Sequence, residues 1–403
     1  MAMKDILNLD SIIRNYLIGL NSMLSNKSNI GIDPNVSKDK NPQILANIIE
    51  ISCLDSNLIK QSLFIELINN LISLQQNSGS WIEIHRNYYQ PSALITSICV
   101  ISLEKALHLI NSNLIEIQNY QAIRSEIDES IRKGQMYVKK QFRGHSIKKS
   151  ELIRLKILNV NAIASNALPE VAPSLLKGIS LYQKKNGAIP YSDPIRKHPF
   201  DYPLNFFSIF YHCLTLYYIS QLIKKPHFSS EEWMIHSYKL GLNRLRSVIK
   251  KSGDIKWIES RFPHADYQNN TYAFILRLLF LELSQIQKNN LYKRLVKNIS
   301  NVGLSYTYEI GKKHTLIFRL FFSIRYLFGD RLKIKDRVKR VLHSCYQEYA
   351  RTFPTQKIHP SILYRLTKNS FSQPPPYNLP NYVVTLEILK LLLELREEIG
   401  IRV

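Results

Sequence analysis

The stretch "QQNSGSW", Gln75 to Trp81, followed at once by "IEIHRNYY", Ile82 to Tyr89, decides how the rest of the chain is read. A glutamine, three residues, then Gly-Ser-Trp closes the apolar helical pattern "SLFIELINNLISL". Glycine suits a helix end because the left-handed conformation costs it little. The tryptophan after it can fold back and pack between neighbouring helices. The glutamine can cap, or bond across to backbone near the next turn. A loop carrying His, Arg and paired Tyr then delivers the chain to another apolar helix at Ala93.

The pattern recurs. Gly187 and Tyr191, in "LYQKKNGAIPYSD", lead through "PIRKHPFDYPLN" to a helix at Phe206. Gly253 and Trp257 lead through "IESRFPHADYQNNT" to a helix at Tyr272. Gly303 and Tyr306 lead to His314, and Gly31 leads to a helix at Ile44. "SFSQPPPYNLPNY", ending at Tyr382, lacks the glycine but leads into a helix at Val383. These are five or six weak repeats of helix, glycine turn, loop and helix. One such unit cannot bury its apolar face alone, whereas a closed ring of them can. The inner-helix N-termini would then collect on one rim, with their positive dipole ends and polar Tyr, His and Asn side chains.

Apolar residues at three- and four-residue spacing run through "ILANIIEISCL", "SALITSICVISLEKALHLI", "YAFILRLLFLELSQI" and "YVVTLEILKLLLELREEI". Several of these helices are apolar on more than one face, so they are covered on both sides. Alternating strand patterns are nearly absent. The fold class read from this is all-α, an α/α toroid of five to six helical hairpins in two concentric layers. Residues 1–24 read as an N-terminal helical extension and 25–403 as a single toroid domain. "LNFFSIFYHCLTLYYISQLI", Leu204 to Ile223, has the length of a membrane span, but Asn205, His212, Gln221 and three tyrosines interrupt it. It is read as a helix buried in a helical core.

"QQNSGSW" resembles the Gln-x-x-x-Gly-x-Trp (QW) motif of the squalene and oxidosqualene cyclases. "QKKNGAIPY" resembles the looser glutamine–glycine–tyrosine form of the wider terpenoid cyclase and protein prenyltransferase superfamily. The resemblance covers residues 25–400 by repeat pattern and about 20 residues by motif. It implies the α/α toroid and, for function, a protein that binds or cyclises an isoprenoid, prenyl diphosphate included, in a central aromatic cavity. The same ring occurs in polysaccharide lyases and in complement-type thioester domains, so fold does not settle function. The chain also departs from the family. It has no DxDD motif to protonate an alkene and no DDxxD motif to hold Mg²⁺. No cysteine follows an aspartate as a prenyltransferase zinc site needs: Cys213 lies twelve residues after Asp201. No metal or cofactor is expected.

Charge speaks to partners. The formal net charge is +23 and the pI about 9.7. Such a balance suits an anionic membrane surface, a phosphorylated small molecule, an acidic polysaccharide or nucleic acid. Nine basic residues lie between Arg132 and Lys156 against Glu151 alone, and six lie between Arg331 and Arg340 against Asp336. The simple reading of both runs is a solvated helix face. No zinc-finger, RNA-recognition or leucine-zipper signature is present, so nucleic acid is not the expected partner. Cys53, Cys99, Cys213 and Cys345 are dispersed with no CxxC, as in a reduced intracellular protein. "MAMKDILNLDSIIRNYL" lacks a long apolar stretch, so no signal peptide is expected. The expected location is cytoplasmic, with peripheral contact at the inner face of a membrane as an option.

The candidate site residues come from the rim loops. "HPFDYPLN" offers His198, Asp201, Tyr202 and Asn205. "HADYQNNTY" offers His264, Asp266, Tyr267, Asn269, Asn270 and Tyr272. An aspartate held protonated by its surroundings can act as a Brønsted acid, so Asp266 and Asp201 are the acid candidates, with His264 and Tyr267 beside Asp266. Before a helix, Asp and Asn are also favoured simply as caps. His85, Arg86, Tyr88, Tyr89, His198, Tyr202, Asn269, Asn270, Tyr272 and Tyr382 are the expected ligand-binding set. Two alternatives stay open. His, Tyr, Asn and Arg also suit an intracellular lyase or epimerase acting on an acidic polysaccharide. The basic runs suit a non-catalytic protein at an anionic membrane surface. The expected ligand is accordingly a small hydrophobic or anionic molecule.

Overall fold

The computed structural model describes residues 3–25, 41–55, 57–85, 88–112, 120–142, 158–190, 209–255, 268–297, 306–308, 378–380 and 382–400. Twelve α-helices lie among them: α1 Met3–Ser25, α2 Pro42–Leu54, α3 Gln61–Ser73, α4 Ala93–Asn111, α5 Tyr120–Phe142, α6 Leu158–Ala167, α7 Ala172–Tyr182, α8 Ile209–Ile223, α9 Glu232–Val248, α10 Gln268–Leu279, α11 Gln285–Lys297 and α12 Tyr382–Gly400. Four short strands accompany them: β1 Ile82–His85, β2 Tyr88–Pro91, β3 Tyr306–Tyr308 and β4 Asn378–Pro380. The chain divides into two compact units. The first holds residues 1–196, 204–305 and 381–403, and the second holds 197–203 and 306–380. In the second, β3 and β4 pair antiparallel, Tyr306 opposite Pro380.

All twelve helices belong to the first unit, and their contacts close a ring. α2 packs on α4, α4 on α6, α6 on α8, α8 on α10, α10 on α12, and α12 returns to α2. Each of these six has its own outer partner: α3 on α2, α5 on α4, α7 on α6, α9 on α8, α11 on α10 and α1 on α12. Five consecutive hairpins and a sixth pair made of the first and last helices, in two concentric layers, form an α/α toroid. Helix α1, set apart in the sequence reading as an extension, is the outer helix of the sixth pair and also touches α11.

Composition explains which helix goes where. Of the thirteen residues of α2, ten are buried, and eleven of the fifteen in α8 are buried. Such helices can only sit between two layers. α11 buries four of thirteen residues and α7 four of eleven, which is the one-sided pattern of an outer helix. Ile209–Ile223, from the apolar stretch at 204–223, is therefore an inner helix. Among the described residues one helix, Ala93–Asn111, is long and apolar enough to cross a membrane, and it too belongs to the inner ring. Caps set the starts. Asn41 Oδ1 accepts from the backbone N–H of Gln43 at 3.1 Å and of Ile44 at 3.4 Å, with Pro42 in the first turn of α2.

The recurring turn is one structure built twice and approximated a third time. In the first copy Gly79 has φ +86° and donates to Gln76 O, while Gln76 donates to Ser80 O, both at 2.8 Å. In the second copy Gly187 has φ +84°, with Gly187 to Lys184 O at 2.8 Å and Lys184 to Ala188 O at 2.9 Å. The third, at Gly253 with φ +86°, repeats both bonds at 2.8 Å around Lys250 and Asp254. The glutamine does more than cap. Gln75 Nε2 donates to Gly79 O at 3.0 Å and to Ser130 O, on the next outer helix, at 2.9 Å; Ser130 Oγ donates back to Gln75 Oε1 at 2.9 Å. Gln183 makes the same set with Gly187 O at 3.1 Å, Ser237 O at 2.9 Å and Ser237 Oγ at 2.5 Å. Both amide hydrogens and the oxygen are satisfied, so a polar clamp ties outer helices α3 to α5 and α7 to α9 without an orphan group. Trp81 is fully buried, its indole N–H donating to Leu71 O at 2.7 Å.

Candidate functional site

Each of α2, α4, α6, α8 and α10 is followed by its outer partner, so these inner helices enter the ring from one rim and run the same way. The third and later turns of α2, α4, α10 and α12 carry charges that the surrounding apolar sequence would not suggest. Glu50 of α2 is 2% exposed and meets Lys105 Nζ of α4 at 2.5 Å, Ser102 Oγ at 3.1 Å and Lys390 Nζ of α12 at 3.6 Å. Glu394 of α12 accepts from Tyr217 OH of α8 at 2.7 Å and from Arg277 Nε of α10 at 3.3 Å, and lies 3.9 Å from Lys105 Nζ. Arg277 reaches on to Glu398 at 2.5 Å, which also pairs with Lys224. α4 and α8 are not ring neighbours of α12, so the Lys105–Glu394 and Tyr217–Glu394 contacts cross the lumen. Five of the six inner helices thus meet in one ion network.

The network holds its protons firmly. Burial raises the Glu50 carboxyl, but Lys105 and Lys390 overcome it and bring it down to about 2. Burial lowers Lys105 and Lys390, and their carboxylates, Glu50 first, more than reverse this. Burial pushes the Tyr217 hydroxyl well up, and Glu394 adds to the shift. Such a cluster breaks badly when one member is removed, because a buried charge loses its counter-charge.

Where α8 packs on α10 the core is aromatic. Phe210 stands 5.1 Å from Tyr211 and 6.1 Å from Phe274 between ring centroids, both edge-on. Tyr217 stands 5.5 Å from Phe274 and 5.1 Å from Tyr218. Lys390 Nζ lies 5.8 Å from the Tyr217 ring centre.

One acid stands apart from the network. Glu387, in the second turn of α12, pairs with no cation among the described residues; its hydrogen-bond partner there is Nδ2 of Asn270, in the first turn of α10. Asn270 is fully buried, and its Oδ1 meets no donor. Burial first, then Glu50, raise the Glu387 carboxyl to about 6 against the pull of Lys390 and Asn270. Glu387 is only half-buried, and Lys105 keeps 35% of its side-chain surface accessible, although both are enclosed by the ring.

Of the residues expected from sequence, Asn270 is brought into this interior pair. Tyr272 is buried in the helical core, and Tyr382 begins α12, packed against that core with its hydroxyl raised by burial. Asn269 lies in the first turn of α10. His85, Tyr88 and Tyr89 lie on a two-stranded hairpin between Trp81 and α4, His85 opposite Tyr88 and Ile84 opposite Tyr89. Arg86, His198, Asp201, Tyr202, His264, Asp266 and Tyr267 lie outside the described residues. The basic runs at 132–156 and 331–340 do so in large part. The described portion of the first sits on outer helix α5, where Lys133 meets Glu129 at 2.6 Å and Lys139 meets Glu170 at 3.5 Å.

Sequence reasoning missed Glu50, Lys105, Arg277, Glu387, Lys390 and Glu394. The signal was available: each is a charge inside a helix otherwise apolar on every face, as in "NIIEISCL" and "EILKLLLEL". His212 is the third interruption of such a helix, and it is structural. Its Nδ1 accepts from Ile189 N–H at 3.3 Å, leaving Nε2–H for Gly241 O at 2.9 Å, and burial lowers it to about 4.

No family model and no curated protein matches the chain. Among solved structures it is similar over 98% of its length, and 99% of theirs, to variants of the type II terpene cyclase MstE from Scytonema. An apo form has a TM-score of 0.49 at 11% identity. A complex with the product merosterolic acid A has 0.47 at 10%, and one with the substrate geranylgeranyl dihydroxybenzoate has 0.49 at 10%. All three scores fall below 0.5, so the ring described above stands on this chain's own helix contacts.

Proposed function

We propose that the chain is a terpenoid-cyclase-like α/α toroid that binds or cyclises an isoprenoid inside its ring. The observation that carries this reading is the inner layer: aromatic Phe210, Tyr211, Phe274, Tyr217 and Tyr218 on α8 and α10, read here as the wall of a ligand space, beside an ion network that crosses the ring. Such a wall suits a branched apolar chain through surface burial, and its ring faces favour positive charge developing on that chain. Cyclisation by protonation would need a carboxyl kept neutral near pH 7. Asp266 and Asp201 remain the rim candidates for that acid, with His264 and Tyr267 as neighbours.

The test is native mass spectrometry of protein purified gently from cells, with the extracted small molecules identified. A retained polyprenyl or terpenoid species is the expected result. A retained uronic-acid oligosaccharide would replace the reading with a glycan enzyme, and retained anionic phospholipid alone would replace it with surface binding.

A further inference from the structure

We infer that Glu387 and Asn270 form the polar recognition point of the ring interior, and that it takes a neutral ligand donating a hydrogen bond, an isoprenoid alcohol, in preference to a diphosphate or any other anion. This rests on the isoprenoid reading and narrows it.

Charge bookkeeping inside the described ring comes first. Its cations are Lys105, Lys390 and Arg277, and each already meets a carboxylate, at 2.5, 3.6 and 2.5 Å for the shortest contact of each. Facing them are Glu50, Glu394, Glu398 and Glu387. With Lys224, which pairs with Glu398 at the outer end, four cations stand against four acids, and Glu387 is the acid with no ion pair among the described residues. An anionic head group entering here would find every one of these cations already paired, and would meet Glu387. To gain a cation it would have to strip one from a buried partner, which leaves that partner uncompensated.

Unmet hydrogen-bond capacity comes second. Asn270 spends one amide hydrogen on Glu387, and its buried Oδ1 is unpartnered. Glu387 is open on one side and has no other hydrogen-bond partner among the described residues. Both vacancies are acceptors. A buried acceptor gains most from a neutral donor, which brings no charge to desolvate. A hydroxyl on an apolar chain fits this: the head donates to Glu387, and the chain lies against the aromatic wall. The groups around Glu387 are Lys390 and Glu394 on its own helix, Glu50 on α2, Lys105 on α4, and Tyr218 on α8, whose hydroxyl Glu387 helps to raise.

The test measures dissociation constants of farnesol and geranylgeraniol, and of their diphosphates, on full-length wild type, Glu387→Gln and Glu387→Leu. Wild type is expected to bind an alcohol at least about tenfold more tightly than the matching diphosphate. Glu387→Leu should weaken the alcohol by about tenfold and Glu387→Gln, which keeps an acceptor, by less. Both variants should strengthen the diphosphate, because the carboxylate that no cation pairs with is gone. That movement of the alcohol-to-diphosphate ratio is one a purely structural glutamate would not produce, and Glu387→Gln keeps it measurable if Glu387→Leu fails to fold. Diphosphate bound as tightly as alcohol, or a ratio unmoved by Glu387→Gln, overturns the head-group assignment while leaving an isoprenoid site. Binding of neither class overturns the isoprenoid reading itself.

Discussion

The turns at Gln75–Trp81 and Gln183–Ile189 are made of the same bonds at nearly the same lengths, down to the serine on the next outer helix that closes each amide clamp. The inner helices that follow them share no such identity. Where α4 presents Lys105 to the lumen network, α8 presents Tyr217, α10 presents Arg277 and α12 presents Glu394. The contrast separates two jobs. The outer layer is a repeat, and repetition is what closes a ring. The inner layer has abandoned repetition, and ligand recognition belongs where the copies differ. The turn at Ile249–Ile255 shows how far the outer repeat can decay: isoleucine stands at the clamp position, a backbone bridge to Ile255 replaces part of it, and Gln287 bonds Lys250 O from the next helix at 3.0 Å.

The sharpest way to break the outer repeat is at its glycines. A Cβ at Gly187 would lie 2.0 Å from Leu240 O, and one at Gly79 2.3 Å from Lys133 O, both with positive φ. At Gly253 the nearest atoms are 2.9 and 3.0 Å away. Gly187→Ala is expected to cost roughly 5 kcal/mol or the fold, and Gly253→Ala about half as much, in chemical denaturation. Next in size is the inner layer. Glu50→Ala leaves Lys105 and Lys390 buried with one counter-charge fewer and should cost about 3–5 kcal/mol by the same measurement. Equal losses of about 2 kcal/mol are expected for Gln75→Ala and Gln183→Ala, since each orphans a serine hydroxyl and two carbonyls. Unequal losses would show that the two copies are alike in geometry only.

The smallest effect depends on pH. The Glu387 carboxyl rises from 4.5 to about 6 on folding, so its contribution is fully present below pH 4.5 and is lost as pH rises through 6. Glu387→Gln removes that loss. The variant should match wild type at pH 4 and exceed it by at most about 2 kcal/mol at pH 8, read from urea midpoints on both. A difference independent of pH would mean that the carboxyl does not change its protonation on folding. Glu50 works the other way. Its stability is present above pH 4.5 and is lost as pH falls toward 2, which sets the acid limit of the fold.

Much of the scaffold was legible because its determinants are local. Gly79, Gly187 and Gly253 punctuate the chain at the ends of outer helices, and the apolar runs between them announce helices covered on both sides. The serines that complete the clamps were not legible. Ser130 and Ser237 lie 55 and 54 residues beyond their glutamines, and serine on a helix surface is ordinary. The interior was legible only in part for a different reason. A lone glutamate or lysine in an apolar helix signals a buried partner, but which helix supplies it depends on ring closure. Glu394 needs Tyr217, 177 residues away, and Arg277, 117 away. The rim loops drew attention to Asn270 for its neighbours in sequence, yet its partner is Glu387 on the last helix.

The most direct measurement is photo-crosslinking with a diazirine-bearing isoprenoid alcohol, with the labelled peptides mapped by mass spectrometry. Label on inner helices α8, α10 and α12, around Tyr211, Phe274 and Glu387, and competed away by geranylgeraniol, is the expected result. Label confined to the outer helices or to the basic face of α5 would contradict a binding site inside the ring.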